Sequence, residues 1–289
     1  MLNKTVLLAL FMAWISLSPK SDFDGLIERA QYLYGIYYPL DPSYSEEVYS
    51  IYDFELHDED VNAFKKELRH RINEREIPGD SIYRWELIGF LQERLVDQLD
   101  QIVQHPEFSQ HDVWEKIGAE DLGLVMSKDK RLVNFSFDAK TGGTYQARIS
   151  KLYLIKSEKE VIDITSEDFV RTDGYTHIYQ LDTEDGVKYV LTGAVRGCLL
   201  CFETFVQLIN EDLMEEFHHA VVTREFNEGV RYDPVTNSIR VAYHTNDLTP
   251  SCSCENGDAP IAIETPCNYV YIFDGKNFEL TSEHQENAK

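Results

Sequence analysis

The residues best suited to chemistry in this sequence are five cysteines, all of which follow position 197. They are Cys198, Cys201, Cys252, Cys254 and Cys267. Thiols form disulfides, hold zinc as thiolates or act as redox pairs. The residues from Gly197 to Ile209 have the composition of a strand, which disfavours a redox pair because such a pair wants a helix N-terminus. Residues three apart in a strand are about 10 Å apart, so Cys198 and Cys201 join each other only if a turn begins at Gly197.

Disulfides are the favoured role for these five candidate cysteines, because the N-terminus predicts export to an oxidising compartment. The polar segment from Thr245 to Cys267 is then a loop that disulfides staple to a sheet. The alternative is zinc held by the four thiolates of Cys198 to Cys254, although Cys-x-Cys is less usual than Cys-x-x-Cys in zinc sites. An odd number leaves one thiol free or paired with another chain. We expect no metal and no cofactor.

A second candidate site is the loop in FDAKTGGTYQ, residues 137–146. A phosphate-binding loop places its glycines before a helix N-terminus, whereas here a strand pattern follows and no Lys-Ser/Thr comes after the second glycine. The loop is therefore first a hairpin turn, in which glycine adopts positive φ. If it borders a ligand groove, the candidate ligand-binding residues are Asp138, Gly142, Gly143 and Thr144.

Other catalytic patterns do not occur in the sequence. It contains neither Gly-x-Ser-x-Gly nor His-Glu-x-x-His, the motifs of serine hydrolases and zinc proteases. The acidic run at 182–186 fails as a calcium loop, because the sixth position is Val187 and the twelfth is Gly193 where glycine and glutamate are needed. Whether the protein is an enzyme stays open, and the residues lean against it.

The elements around these sites change character near position 120. Val61, Phe64, Leu68 and Ile72 recur at helical spacing after an acidic triplet, Asp58 to Asp60, that suits a helix N-terminus. A second helix is predicted from about Ile82 to His105. Its apolar stripe comprises Trp85, Ile88, Leu91, Leu95, Leu99 and Ile102. The preceding segment holds seven of the 17 tyrosines, which either stack on sugars or, as we favour, pack a helix onto a sheet.

From Leu122 onward the pattern has a period of two, as in RLVNFSFD at 131–138, and Asp-Gly pairs mark tight hairpins. We therefore predict an α+β fold with N-terminal helices followed by an antiparallel β-rich domain. A sandwich or open barrel is preferred to a small propeller, for which only about four blades would fit. The predicted organisation is a signal peptide at 1–20, a mainly helical segment at 21–118 and the β-rich domain at 119–289.

The N-terminus and the charge restrict location and partners. Lys4 followed by the apolar run from Thr5 to Leu17 has the pattern of a secretory signal peptide, so we expect a periplasmic or extracellular protein with no membrane span in the mature chain. The formal net charge is −24, which repels polyanions and argues against nucleic acid. A protein or glycan partner is compatible with this charge.

The segment SKDKRLVNFSFDAKTGGT, together with GVKYVLTG and YVYIFDGKNFEL, resembles an uncharacterised family of secreted β-rich bacterial proteins with a Gly-Gly-Thr loop. The resemblance covers about residues 95 to 282. The matching positions are Ser127, Asp129, Leu132, Phe137, Asp138, Gly142, Gly143 and Thr144, with Phe137 where the family usually has tryptophan. The resemblance implies an exported β-rich protein preceded by helices and implies no activity.

Three functions are compatible with these observations. The favoured one is a secreted, non-catalytic binding or interaction protein. The second is an acidic inhibitor or immunity-type protein whose carboxylates cover a cationic partner. The third is a hydrolase whose carboxylates meet only in the folded chain.

Overall fold

The computed structural model describes residues 22–41, 48–68, 80–108, 113, 117, 122–142, 146–157, 159–198, 201–225, 227–245 and 265–284. The predicted signal peptide at 1–20 lies outside these ranges, as do Gly143, Thr144, Cys252 and Cys254. Within them no helix is both long enough and apolar enough to cross a membrane.

The N-terminal part is helical. It contains α1 (Asp22–Tyr37), a 3₁₀ turn (Ile51–Phe54), α2 (Asp58–Leu68) and α3 (Arg84–Gln104). Apolar residues recur every three or four positions along α1, and α1 packs against α3 through them. The predicted stripe of α3 is buried from Ile88 to Ile102, but Trp85 is 56% exposed. Trp85 lies in the first turn of α3, before the stripe reaches the core.

Two short strands accompany the helices. β1 (Val48–Ser50) pairs antiparallel with β2 (Ser81–Tyr83), which leads directly into α3. The carboxylate of Glu86 accepts a hydrogen bond of 3.0 Å from the backbone N–H of Tyr83. This bond satisfies a donor at the helix N-terminus that has no partner within the helix.

The rest of the described chain forms three four-stranded antiparallel meanders in chain order. The first meander contains β3 (Gly123–Met126), β4 (Leu132–Asp138), β5 (Arg148–Ser157) and β6 (Glu160–Asp163). The second contains β7 (His177–Thr183), β8 (Gly186–Cys198), β9 (Cys201–Asn210) and β10 (Glu215–Thr223). The third contains β11 (Gly229–Asp233), β12 (Ser238–His244), β13 (Pro266–Phe273) and β14 (Phe278–His284).

Three apolar clusters show how these layers stack. The helices share one cluster with Val133, Phe135, Phe137 and Tyr153 of the first meander. A second cluster lies between the first and second meanders, and a third between the second and third meanders. The layers therefore follow the order of the chain: the helices come first, and the first, second and third meanders follow. This confirms the prediction of an α+β fold in which N-terminal helices precede an antiparallel β-rich domain, and the described residues of that domain form three stacked four-stranded sheets.

Strand β4 is buried on both faces. Its odd-numbered residues face the helices, and on the other face Asn134 and Ser136 are 0% and 2% exposed beneath the second meander. Asn134 satisfies its amide there, donating to Ser150 Oγ at 2.8 Å and accepting from the backbone N–H of Tyr175 at 3.1 Å. Buried polar groups need such partners, so Asn134 ties the first meander to the chain that leads into the second.

Candidate functional site

The candidate site lies around Arg148, the first residue of β5. Three cavities of about 700, 500 and 410 Å³ are lined in part by this residue. We call them the sheet groove, the tyrosine pocket and the loop pocket. The sheet groove lies between the second meander and β11, the tyrosine pocket lies beside the end of α1, and the loop pocket lies beside β3 and the connection from β6 to β7. A volume of several hundred Å³ is that of a pocket for a small organic ligand.

The sheet groove exists because the third meander covers only part of the second. Leu181, Val190 and Val206 lie in the core that the two sheets share. Residues further along the same face line the groove, among them Tyr179 of β7 and Thr192 of β8. Side chains on one face of a strand are two residues apart, so the covered and open parts belong to the same face.

Edge strand β11 forms the opposite wall. The backbone N–H of Val230 donates to Thr204 Oγ1 of β9 at 2.7 Å. Gly229 has φ 116°, and a Cβ built there would lie 2.0 Å from Thr204 Oγ1. Only glycine permits both this backbone conformation and this close approach. The contact holds β11 against the second meander and sets the width of the groove.

Aromatic rings line the groove. The rings of His177 and Tyr179 are stacked with centroids 5.5 Å apart, and those of Tyr179 and Tyr232 are tilted at 4.9 Å. Burial raises the pKa of Tyr179, and it raises that of Tyr232 to about 12. Both hydroxyls are therefore neutral at physiological pH, and the Tyr232 hydroxyl donates to Asn237 Oδ1 at 2.9 Å.

The charged residues that line the sheet groove are mostly basic. Arg148, Arg196 and Arg231 contribute to it, whereas Glu228 is the one carboxylate among its described lining residues. Glu228 Oε2 accepts from the backbone N–H of His244 at 3.1 Å, and its Oε1 lies 2.7 Å from His244 Nδ1. The groove is thus locally cationic in a chain of formal net charge −24.

Arg148 is held in position by the neighbouring strand. Its Nη2 donates to the carbonyl oxygen of Ser136 at 2.8 Å and its Nε to Ser136 Oγ at 3.2 Å. Gly174 packs onto the same region with φ 79°, and a Cβ there would lie 2.8 Å from Ser136 Cβ. A guanidinium fixed in this way loses little side-chain entropy when it meets an anion.

The tyrosine pocket contains one of the residues predicted from the sequence. Asp138 lines it together with Tyr37, Tyr38 and Lys140. The Asp138 carboxylate folds back on its own loop, with Oδ1 accepting from the backbone N–H of Lys140 at 2.8 Å and Oδ2 3.8 Å from Lys140 Nζ. Gly142 adopts the expected positive φ of 73°. The role of Asp138 and Gly142 in ligand binding stays a prediction.

The tyrosines near the end of α1 differ in burial. Tyr34 and Tyr37 are buried between helix and sheet, as favoured, whereas Tyr38 is 53% exposed at the tyrosine pocket.

Sequence reasoning missed Arg148, Tyr179, Arg196 and Tyr232. The alternation of β7 indicates that His177 and Tyr179 share a face, but no local signal places the other residues near them.

Cys198 and Cys201 are close enough for a disulfide, although Gly197, where the turn was expected to begin, still belongs to β8. β8 ends at Cys198, β9 begins at Cys201, and the two residues are directly opposite in the strand register. Opposed residues in antiparallel strands have Cα atoms about 4.5–5.5 Å apart, which is within the range of a disulfide. Cys267 is buried in β13, while the other two thiols and the side chain of Cys198 lie outside the described atoms. Disulfide pairing and the zinc alternative therefore stay predictions.

A separate cluster of His57, Glu59 and Asp60 has ligand atoms within 4.8 Å of one another. Arg29 already binds both Asp60 oxygens, with Nη1 donating to Oδ2 at 2.9 Å. The Tyr32 hydroxyl donates to the same Oδ2 at 3.2 Å, and its ring stacks on His57 with centroids 3.8 Å apart. The arrangement fits an arginine anchor between α1 and α2 better than a cation site, because a bound arginine neutralises Asp60.

No family model, curated protein or solved structure matches this chain.

Proposed function

We propose that this protein is a secreted, non-catalytic binding protein that holds an acidic carbohydrate in the sheet groove. The observation that carries the proposal is the joint presence of arginines and partly exposed aromatic rings in the sheet groove of a strongly acidic chain. Guanidinium groups pair with carboxylates in a bidentate geometry. Tyrosine rings offer an apolar face and a polar edge, which suits the two kinds of surface on a sugar.

The location of the charge supports this ligand class. Long polyanions are repelled by a surface of net charge −24, but a short acidic sugar feels mainly the nearest groups, because salt screens charges beyond about 8 Å at physiological ionic strength. Arg148 and Arg196 are such near groups. The proposal thus reconciles an acidic protein with an anionic ligand.

The test is calorimetric titration of the intact exported protein with hexagalacturonate, an acidic sugar oligomer. Tyr179→Ala and Arg196→Gln should each weaken binding by about tenfold or more, the effect of losing one contact of about 1.4 kcal/mol. The matched controls are Tyr52→Ala, which removes a 60% exposed tyrosine, and Arg94→Gln, which removes an arginine paired with Glu67 on the helices. Equal affinity in all four variants, or no binding at all, would overturn the proposal.

The two alternatives give different results in the same experiment. A hydrolase would shorten the oligomer, which mass spectrometry of the titration mixture would reveal. An acidic inhibitor would ignore the sugar and bind a cationic protein with strong salt dependence. Export is tested by sequencing the N-terminus of the secreted protein, which should begin close to Ser21.

A further inference from the structure

We propose that the tyrosine pocket and the sheet groove are two subsites for one extended acidic oligosaccharide that passes over Arg148. This inference rests on the proposed function and adds the size and path of the ligand. A ligand of one or two sugars would occupy only one of the two cavities.

The first reason is that the cavities are neighbours. Gln146 and Arg148 line both of them. The backbone N–H of Gln146 donates to the carbonyl oxygen of Arg196 at 3.1 Å, so the chain between β4 and β5 is tied to the end of β8 at this boundary. An oligosaccharide that leaves one cavity therefore meets Arg148 before it enters the other cavity.

The second reason is that both cavities offer the same pair of chemical groups. In the tyrosine pocket, Lys140 Nζ lies 5.6 Å from the ring centroid of Tyr38 and donates to the Tyr38 carbonyl oxygen at 3.0 Å. In the sheet groove, Arg196 lines the same cavity as Tyr179. Each cavity therefore combines a cation with an aromatic ring, although Lys140 also lies 3.8 Å from the Asp138 carboxylate, and Arg148 adds a cation between the cavities. A repeated pair of groups suits a ligand that repeats a charged ring.

The third reason is energetic. When two subsites are occupied by one chain, the second contact is intramolecular and raises the affinity without any new type of interaction. Affinity should therefore grow with oligomer length until both cavities are filled. A single-cavity site would show no such growth.

The experiment compares digalacturonate with hexagalacturonate on the intact protein by calorimetry. The hexamer should bind the wild type at least about tenfold more tightly than the dimer. Tyr38→Ala should remove most of this advantage of the hexamer, whereas Tyr179→Ala should weaken the binding of both ligands. Tyr38 is exposed and its backbone carbonyl remains in the variant, so the fold should persist. Tyr52→Ala, an exposed tyrosine outside these cavities, is the matched control.

Different failures identify different errors. Equal dimer and hexamer affinities, or a hexamer that binds Tyr38→Ala like the wild type, would overturn the extended site while leaving the sheet groove intact. No binding of either oligomer, or no effect of Tyr179→Ala on either, would overturn the proposed function itself. If neutral maltohexaose bound as tightly as hexagalacturonate, the negative charge of the ligand would not be required, and the proposal of an acidic sugar would be wrong. Tighter binding of a polyglutamate peptide, lost in the same variants, would replace the carbohydrate by an acidic peptide.

Discussion

The hydroxyl of Tyr37, the last residue of α1, donates a hydrogen bond of 2.5 Å to the backbone carbonyl oxygen of Asp138, the last residue of β4. Gln92 of α3 supports this contact, with its Nε2 donating to the Tyr37 hydroxyl at 3.0 Å and to the carbonyl oxygen of Ala139 at 2.6 Å. Burial raises the pKa of Tyr37, so its hydroxyl keeps the proton it donates. The helical layer is thus joined to the β4–β5 loop beside the tyrosine pocket.

Removing this hydroxyl should destabilise the protein. We expect Tyr37→Phe to lower the free energy of unfolding by about 1–3 kcal/mol, because a partly buried carbonyl oxygen loses its donor while the ring is kept. Urea denaturation followed by tryptophan fluorescence measures the change. Tyr52→Phe, at an exposed position, should stay within about 0.5 kcal/mol of the wild type. Similar unfolding curves for both variants would show that the contact contributes little.

The turn between β3 and β4 should be a second stabilising centre. Asp129 Oδ1 accepts from Ser127 Oγ at 2.6 Å and from the backbone N–H of Arg131 at 3.0 Å, and its Oδ2 accepts from the Tyr189 hydroxyl of the second meander at 2.7 Å. Burial raises the pKa of Tyr189, and the bond to Asp129 raises it further. We expect Asp129→Ala to lower the free energy of unfolding by at least about 2 kcal/mol, since even one hydrogen bond to a charged group contributes about 1.5–3 kcal/mol.

Chemical denaturation tests this value against a matched aspartate. Asp97 lies on the exposed side of α3, so Asp97→Ala should leave the free energy of unfolding nearly unchanged. If Asp129→Ala unfolds at the same denaturant concentration as Asp97→Ala, the contacts of Asp129 between the two meanders do not contribute to stability.

Stability should fall in mild acid because of His219. This side chain lies between the second and third meanders, with Nε2 2.8 Å from the Tyr269 hydroxyl. Burial, with a further contribution from His218, lowers its pKa from 6.5 to about 4. The unfolded chain therefore binds this proton more readily than the folded chain. Neutral His219 therefore contributes its full stabilisation above pH 6.5. This contribution is lost as the pH falls towards 4, which lowers the free energy of unfolding by up to about 3 kcal/mol.

The readout is the free energy of unfolding measured at several pH values from 7 to 4. His219→Gln should have a shallower slope than the wild type across this range, and His177→Gln, at an exposed position, should follow the wild type. A parallel slope in His219→Gln would assign the acid sensitivity to other groups.

The cysteines are tested by intact mass. We expect the protein, denatured and alkylated without reductant, to carry one alkyl group and to lack four hydrogens, which indicates two disulfides. A peptide that spans Cys198 and Cys201 should lack two of these hydrogens, because the hairpin register places these residues opposite each other. A native mass that includes zinc, with all five thiols alkylated after denaturation, would support the metal alternative instead.

Local patterns in the sequence determined much of the secondary structure. The period of two at 131–138 predicted β4, and the residues at 238–244 form β12 as their composition predicted. Asp185-Gly186 and Asp274-Gly275 predicted turns, and both glycines adopt positive φ. These features depend on neighbours within a few residues, and such neighbours are visible in a sequence.

The stacking order and the candidate site were decided by the tertiary structure. Alternation assigns Asn134 to the polar face of β4, but only the second meander above it decides that this face is buried. Arg148, Tyr179 and Tyr232 come from three different meanders, and they line one groove because β11 docks on β9 through Gly229 and Thr204. Strand periodicity specifies which residues share a face, but it carries no information about which sheet will cover that face, because this depends on packing between segments distant in the chain.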